Sequence, residues 1–551
     1  MPATRPLLRH ADLPLVRTGR SPRFEFLPDG TLHALRADNI LLNLVLGCPL
    51  GGSEHRLALA IEDGSGRRAL ILAGPGGEAR FHADEQAAAW EIADGGLDVR
   101  ASLQPFDGGW SVEFSIRNTG GSPVTVQAVH GLDLALTTQF AARLNESYTS
   151  QYLDHRELPD PLFGRAIATR QNLAVDGKIP WLAQTFVEGT TGFCTDAAEF
   201  FGPPAGRTDG LPAALLDPPS PGRVRQDESA YVALFSAPLA LAPGESGSRR
   251  FLAVYRADHP AASGSPDLEL LHRALAELPS AATPEPPLSP VFHGELRNPR
   301  IAHGGQPTET DLAGWFPDSW HVEERLADGT LASFFHGAAR EHVVTFAKEA
   351  ASVRPHALIL RGGSAADSSH DTLNVTCHMA GVFQSLLAIG HPSFHRLLSP
   401  VRERLGLIPS SGLRIAYETI GGLAWLGIPS AFAMSLTACR WLYRLPGHLV
   451  EVVVSVSPNE PASHLEVRVL EGGPLKFTAS LGLTGGEREG EETASLEIDG
   501  TRATVLAGPD SLARKHFPNA RFTIETDGVE SLGGGELLGW PGEATSHLVA
   551  R

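Results

Sequence analysis

Two large antiparallel β-sandwich domains, joined by a helix and a proline-rich linker, are the mainly β architecture this sequence predicts. The first observation behind it is periodicity. Short runs such as "RFEFLPDGTLHAL", "WSVEFSIRNTGGSPVTVQAV" and "HLVEVVVSVSP" alternate apolar and polar residues, and successive side chains on a strand point to opposite faces, so each run reads as a strand with one buried face. The second is punctuation: Asp-Gly and Gly-Gly pairs separate the runs, and 58 glycines and 42 prolines favour turn-rich β structure over helical bundles. The third is length. At 551 residues the chain exceeds what one core serves, and domains of about 100–250 residues divide it into two large ones.

The first domain is expected over 1–264. Its strands run from "RFEFLPDGTLHAL" through "HRLALAIEDGSGRRALILAG" to "SAYVALFSAPLALAPGESGSRRFLAVYRAD", and "FSIRNTGGSPVTVQAV" reads as a hairpin. From Ser265 the texture changes: "SPDLELLHRALAEL" sets a serine at the N-cap, Pro266 at the first helical position, early acids, and leucines at helical spacing. It predicts a helix of about three turns. "PSAATPEPPLSP", residues 279 to 290, is too rich in proline for an ordinary helix or strand and reads as an extended linker. The helix and linker together span 265–290. Over 291–551 strands resume with "EHVVTFAKEA", "LRIAYETI", "SHLEVRVLEG" and "RFTIETDG". No period of 20–50 residues recurs, which disfavours a propeller or solenoid.

Charge and motif content exclude several functions. A net charge of -18 repels a phosphate backbone, so nucleic acid is not an expected partner. The start has no apolar run long enough for export, and no stretch approaches the roughly 18 apolar residues that cross a bilayer, so a cytoplasmic protein without membrane contact is expected. The four cysteines lie far apart and read as buried thiols. Nucleotide loops, HExxH and GxSxG are all missing, so no cofactor and no metal are expected.

Chemistry concentrates in "NESYTSQYLDH", residues 145 to 155, and the text up to Phe201. Glycoside chemistry requires paired carboxyl groups, or one acid with phosphate or water, beside aromatic surfaces for the sugar ring. Glu146, Asp154 and Asp196 are the candidate acids; Tyr148, Tyr152, His155, Arg170, Asn172 and Trp181 are candidates for substrate contact. On a strand, Tyr148, Ser150, Tyr152 and Asp154 would share one face. Equally, the aromatics can fill an inter-sheet core and Arg170 can neutralise Asp154 or Asp196. A second cluster holds Arg414, Trp425, Arg440 and Trp441, which can stack on sugars or phosphates or seal the end of a sandwich.

These stretches also carry a resemblance. "NESYTSQYLDH", "RQN" (170 to 172), "PWL" (180 to 182) and "FCTDAAEFFG" (193 to 202), with "GVFQSLLAIGHPSFHRLLS", "GLRI", "LGIPSAF" and "CRWLY" later, are similar to the N-terminal region of bacterial cellobiose phosphorylase-like proteins, above all the 1,2-β-oligoglucan phosphorylases. The resemblance implies inverting glycoside phosphorolysis. In that group a helical toroid follows the sandwiches, and there an aspartic acid protonates the glycosidic oxygen while inorganic phosphate attacks the anomeric carbon. The text after Leu483 reads as strands and turns, so no aspartate here matches that acid, and His391, Pro392 and His395 stand where asparagine-rich text is expected.

The resulting expectation is a carbohydrate-associated protein resembling the non-catalytic sandwich half of a β-glucan phosphorylase. It would bind β-linked gluco-oligosaccharides or complete an active site on a catalytic partner chain or homo-oligomer, with inorganic phosphate as the co-substrate the resemblance implies. The alternative is a glycoside hydrolase or phosphorylase in its own right, with carboxyl groups about 5–9.5 Å apart across an open cleft.

Overall fold

A computed structural model of the chain describes residues 3–48, 53–144, 146–203, 211–226, 229–278, 300–352, 355–362, 373–389, 397–398, 412–485, 490–491, 493–534 and 544–551. It is mainly β, with sheets that are antiparallel save for one parallel pairing, Arg300–Ala302 with Gly422–Leu426. Two compact units form it: Pro14–Gly202 with Gly210–Phe292, and Met1–Leu13 with Pro203–Asp209 and His293–Arg551, each in its described residues. The proline-rich stretch 279 to 290 lies outside the described residues, as do His391, Pro392 and His395.

In the first unit an eight-stranded sheet runs in the order Leu153–Asp160, Gly164–Gln171, Trp181–Phe186, Ser246–Arg256, Gly109–Asn118, Leu97–Phe106, Ala88–Asp94, Arg80–Ala83. A six-stranded sheet centred on Val124–Asp133 and Arg56–Asp63 and a five-stranded sheet built on Arg23–Phe26 and Leu32–Ala37 share its core. Alternation decides which side chains enter: Val99, Ala101 and Leu103 face inward from one sheet, Leu57, Leu59 and Ile61 from another. Aromatic rings fill the middle. Phe24 meets Trp110 edge-on at 5.5 Å, and His130 stacks on Phe251 at 3.7 Å.

The expected hairpin in "FSIRNTGGSPVTVQAV" does not form. Gly109–Asn118 pairs with Leu97–Phe106 and Ser246–Arg256, whereas Val124–Asp133 pairs with strands of the six-stranded sheet. The intervening residues arch from one sheet to the other, because Phe114 and Ile116 fill the core from one side and Val124 and Val126 from the opposite side. Asn118 holds the arch: its Oδ1 accepts from Gly120 N at 3.0 Å and its Nδ2 donates to the carbonyls of Ser122 at 2.8 Å and Leu241 at 3.0 Å.

The helix after Ser265 forms as a 3₁₀ turn, Ser265–Asp267, continued by Leu268–Ala276. Its cap differs from expectation: Gly264 takes the N-cap position and donates its N–H to the Asp267 carboxylate at 2.8 Å. Leu271, fully buried, packs with Leu158, Ala168, Trp181 and Val254 on the outer face of the eight-stranded sheet. That sheet is therefore covered on both sides in this region.

The second unit pairs a nine-stranded with a seven-stranded sheet and adds a four-stranded one. Ala3–Pro6, which opens the chain, lies in the last of these and pairs with Ser495–Asp499. Trp441 sits in the core between Phe383 at 5.0 Å and Phe432 at 4.9 Å.

One close approach in the first unit has a measurable cost. The buried Tyr231 hydroxyl donates to the Glu54 carbonyl at 2.9 Å, and a β-carbon on Gly131 would stand 2.2 Å from that oxygen. Gly131→Ala is expected to lower unfolding free energy by about 1–3 kcal/mol. In a Tyr231→Phe background the penalty is expected to shrink, and a denaturant double-mutant cycle with no coupling would refute the contact.

Candidate functional site

The stretch that holds most of the expected site residues is helical at its start. Glu146–Gln151 forms a short helix and Leu153–Asp160 the strand that follows, so the expected strand face of Tyr148, Ser150, Tyr152 and Asp154 does not exist. Asn145 lies outside the described residues. Tyr148 and Tyr152 come together nonetheless, because positions four apart on a helical turn are neighbours. Their ring centroids are 4.7 Å apart, Tyr148 is 46% exposed, and its hydrogen bond to Tyr152 raises its phenol above the ordinary value.

Around this pair the strand edge supplies polar groups. Asn172 donates its backbone N–H to the Tyr152 carbonyl at 2.8 Å, and its side-chain oxygen accepts from Arg170. Asp154 is cross-strand from Arg170, yet it accepts instead from Gln226 Nε2 at 2.7 Å. The guanidinium of Arg170 turns to the carbonyls of His259 at 3.0 Å and Pro260 at 2.8 Å. The expected neutralisation of Asp154 or Asp196 by Arg170 is thus replaced by carbonyl anchoring. Beneath, buried Gln171 donates to the Ala135 carbonyl at 3.1 Å and accepts from Leu173 N at 3.1 Å, fixing the rim. Gln171 lies within "RQN" without having been singled out for contact, and Gln226 carries no motif; only the fold brings Gln226 to Asp154.

The other expected contacts are interior. Trp181 is fully buried, stacked on His259 at 4.9 Å with Nε1 donating to Ser263 Oγ at 3.0 Å. It therefore offers no platform to a sugar. His155 is buried with Nδ1 at 2.9 Å from Thr169 Oγ1, and burial pushes its imidazole down to about 4. Asp196 is buried as the N-cap of the helix Ala197–Phe201, accepting from Ala198 N at 2.9 Å and Glu199 N at 3.3 Å. Its carboxylate is committed to those amides. Glu146 begins the tyrosine helix.

The second cluster is mostly interior. Arg414 and Trp425 are buried, and Trp441 is fully enclosed with Nε1 donating to the His378 carbonyl at 3.2 Å. Arg440 bonds the buried Glu451 and lies 5.4 Å over the Phe316 ring. Burial first, and Arg414 second, push His378 down to about 4. In the same unit a cleft of about 1620 Å³ is bordered by Gln384, Glu418, Lys476, Phe477 and Phe522, drawn from separate stretches of the sequence that no motif links.

Fold and rim together define a double β-sandwich protein with a tyrosine pair, one ring exposed and one half-buried, set among hydrogen-bonding side chains. Residues 25–252 match the SOGP N-terminal domain and residues 316–546 the glycoside phosphorylase supersandwich domain, so the chain carries both family domains in succession and is glycoside phosphorylase-like. It is 28% identical over 511 residues to a 1,2-β-oligoglucan phosphorylase of Listeria innocua, covering 91% of this chain and 44% of that protein. The chain thus spans less than half of that relative's length. Among solved structures, a polysaccharide lyase aligns with 84% of this chain and 47% of its own at 8% identity and a TM-score of 0.28. A galactose mutarotase-like protein from Clostridium acetobutylicum aligns with 46% and 98% at 8% identity and 0.25. Scores at this level do not define a shared fold.

Buried histidines make stability pH-dependent. His33 and His155 are held at about 4 and His55 at about 3, burial being the leading cause in each, with His378 also at about 4. The unfolded chain takes up these protons near pH 6.5 while the folded chain does not, so stability is full above about 6.5 and falls as pH drops toward 4, by up to about 1.4 kcal/mol per pH unit per histidine. Asp133, raised to about 6 by burial against the opposing hydrogen bonds of Val45 and Leu44, acts in the reverse sense below pH 6. Four groups outweigh one. Chemical denaturation from pH 7 to 4.5 is expected to show a falling unfolding free energy, with a shallower fall in His155→Gln; a flat profile would contradict the assignment.

Proposed function

We propose that this chain is the non-catalytic sandwich half of a β-glucan phosphorylase, one that binds β-linked gluco-oligosaccharides and completes an active site supplied by a catalytic partner. The tyrosine pair carries the reading. Tyr148 presents aromatic surface to solvent with Tyr152 half-buried against it, and Asn172 and Arg170 lie at the adjoining strand edge, a combination suited to holding a sugar ring by its apolar face and its hydroxyl edge. The two family domains and the identity to an oligoglucan phosphorylase support the carbohydrate class.

Catalysis by this chain alone is the weaker reading. Of its three candidate acids, Asp196 is buried as a helix cap and Asp154 is held by Gln226. A proton donor for glycosidic oxygen needs an open carboxyl group facing the bond to be cut.

The purified chain is expected to bind β-linked gluco-oligosaccharides saturably without releasing glucose 1-phosphate or free sugar, with or without phosphate. Tyr148→Ala is expected to weaken binding by about tenfold, roughly 1.4 kcal/mol, while Trp181→Phe lowers stability and leaves affinity unchanged. Turnover by the isolated chain, or equal affinity in Tyr148→Ala, would overturn the proposal.

A further inference from the structure

The first unit gathers positive charge in a way that runs against the chain's net charge of -18. Arg17, Arg23 and Arg36 stand on three adjacent strands, Val16–Thr18, Arg23–Phe26 and Leu32–Ala37. Pairing sets Arg23 directly opposite Arg36, and Arg17 opposite Glu25. Phe24, Phe26 and Leu35 face the core, so the arginines and Glu25 share the outer face of this sheet. Like charges on opposed strand positions repel. Among the described residues a single carboxylate holds them: Glu25, 5% exposed, lies 3.5 Å from Arg17 Nε, 3.0 Å from Arg23 Nη2 and 3.2 Å from Arg36 Nε.

The charges do not balance. Three guanidiniums meet one carboxylate, and the further partner of Arg36, Gln139 Oε1 at 2.5 Å, is neutral. Burial opposes ionisation of Glu25, but Arg36 and Arg23 overcome it and hold the carboxyl below its usual range, so one negative charge is present and no more. The second unit shows the balanced alternative. There the buried Glu451 takes Arg440 and Arg468, and Arg468 also pairs with Glu466, two cations to two anions. Arg17 and Arg23 are 59% and 41% exposed, so their forks reach solvent, while Arg36 at 20% lies deeper.

We propose that this face binds a doubly charged tetrahedral oxyanion, inorganic phosphate or a phosphate monoester, between the outer guanidiniums of Arg17 and Arg23 with Arg36 behind. Guanidinium forks match the paired oxygens of such an anion, and two negative charges complete the neutralisation that Glu25 begins. Glu25 orients the forks and competes with the ligand for them. Its residues are distinct from those of the tyrosine rim.

Calorimetric titration of the full chain with inorganic phosphate, and separately with a hexose phosphate, against sodium chloride of equal ionic strength tests it and tells the two sources apart. Saturable binding of either ligand is expected, weakened at least tenfold in Arg17→Gln/Arg23→Gln, whose side chains are exposed enough to change without disturbing the core. Glu25→Gln is expected to bind several-fold more tightly, with its fold checked by circular dichroism. Absence of saturable binding for both ligands, affinity unmoved in the double variant, or no gain in folded Glu25→Gln would each overturn the site.

Discussion

Burial on both faces of the strands around Trp181–Phe186 is the constraint from which the first unit takes its character. Leu182 and Phe186 fill the core between the sheets, while Trp181 and Ala183 lie beneath the helix Leu268–Ala276 with Leu271. A polar atom in such a layer costs free energy unless it finds a partner inside the protein, because water does not reach it. Trp181 finds Ser263, whereas the buried Gln184 amide in the same strand has no hydrogen-bond partner among the described residues. What remains available to a ligand is the rim beyond the covered layer, and there Tyr148, Tyr152 and Asn172 emerge. The helix that follows the sandwich thereby determines which side chains of the sandwich are accessible.

Strands were legible in the sequence wherever one face is covered and the other wet. Gly109–Asn118, overlapping "WSVEFSIRNTGGSPVTVQAV", shows it plainly, with Trp110, Val112, Phe114 and Ile116 buried and Ser115 and Arg117 exposed. Legibility failed where that contrast disappears. Every residue of Trp181–Phe186 is buried, so residue type said nothing about the direction of Trp181. It failed again at 146 to 151, where a spacing of four places Tyr148 and Tyr152 on one side in a strand and in a helical turn alike. "NTGGSP" announced a change of direction correctly, but turn chemistry does not say whether the next strand lies beside the last or across the core from it. The resemblance named the family whose domains match the chain and still could not separate exposed residues from enclosed ones.

Electrostatics and packing divide the labour among the charged side chains. Arg170 and Arg440 are anchors: Arg170 binds carbonyls, and Arg440 braces Glu451 over the Phe316 ring. Their charge is absorbed by the fold. The group around Glu25 differs in stoichiometry rather than in geometry, since the same cross-strand contacts leave cation in excess. Such an imbalance is maintained only by the stability of the surrounding sheet, because mutual repulsion of exposed guanidiniums works against it.

The pairing of Ala3–Pro6 with Ser495–Asp499 has a consequence for biosynthesis. A ribosome that reaches the first of these strands must add several hundred more residues before its partner emerges, which at roughly 5–20 residues per second takes on the order of a minute. During that interval the leading strand has no sheet to join, while the sandwich encoded between them can already collapse around its own aromatic core. The small sheet that unites the two distant segments is therefore a late product of translation, and a nascent chain stalled upstream of Ser495 would display its first strand unpaired.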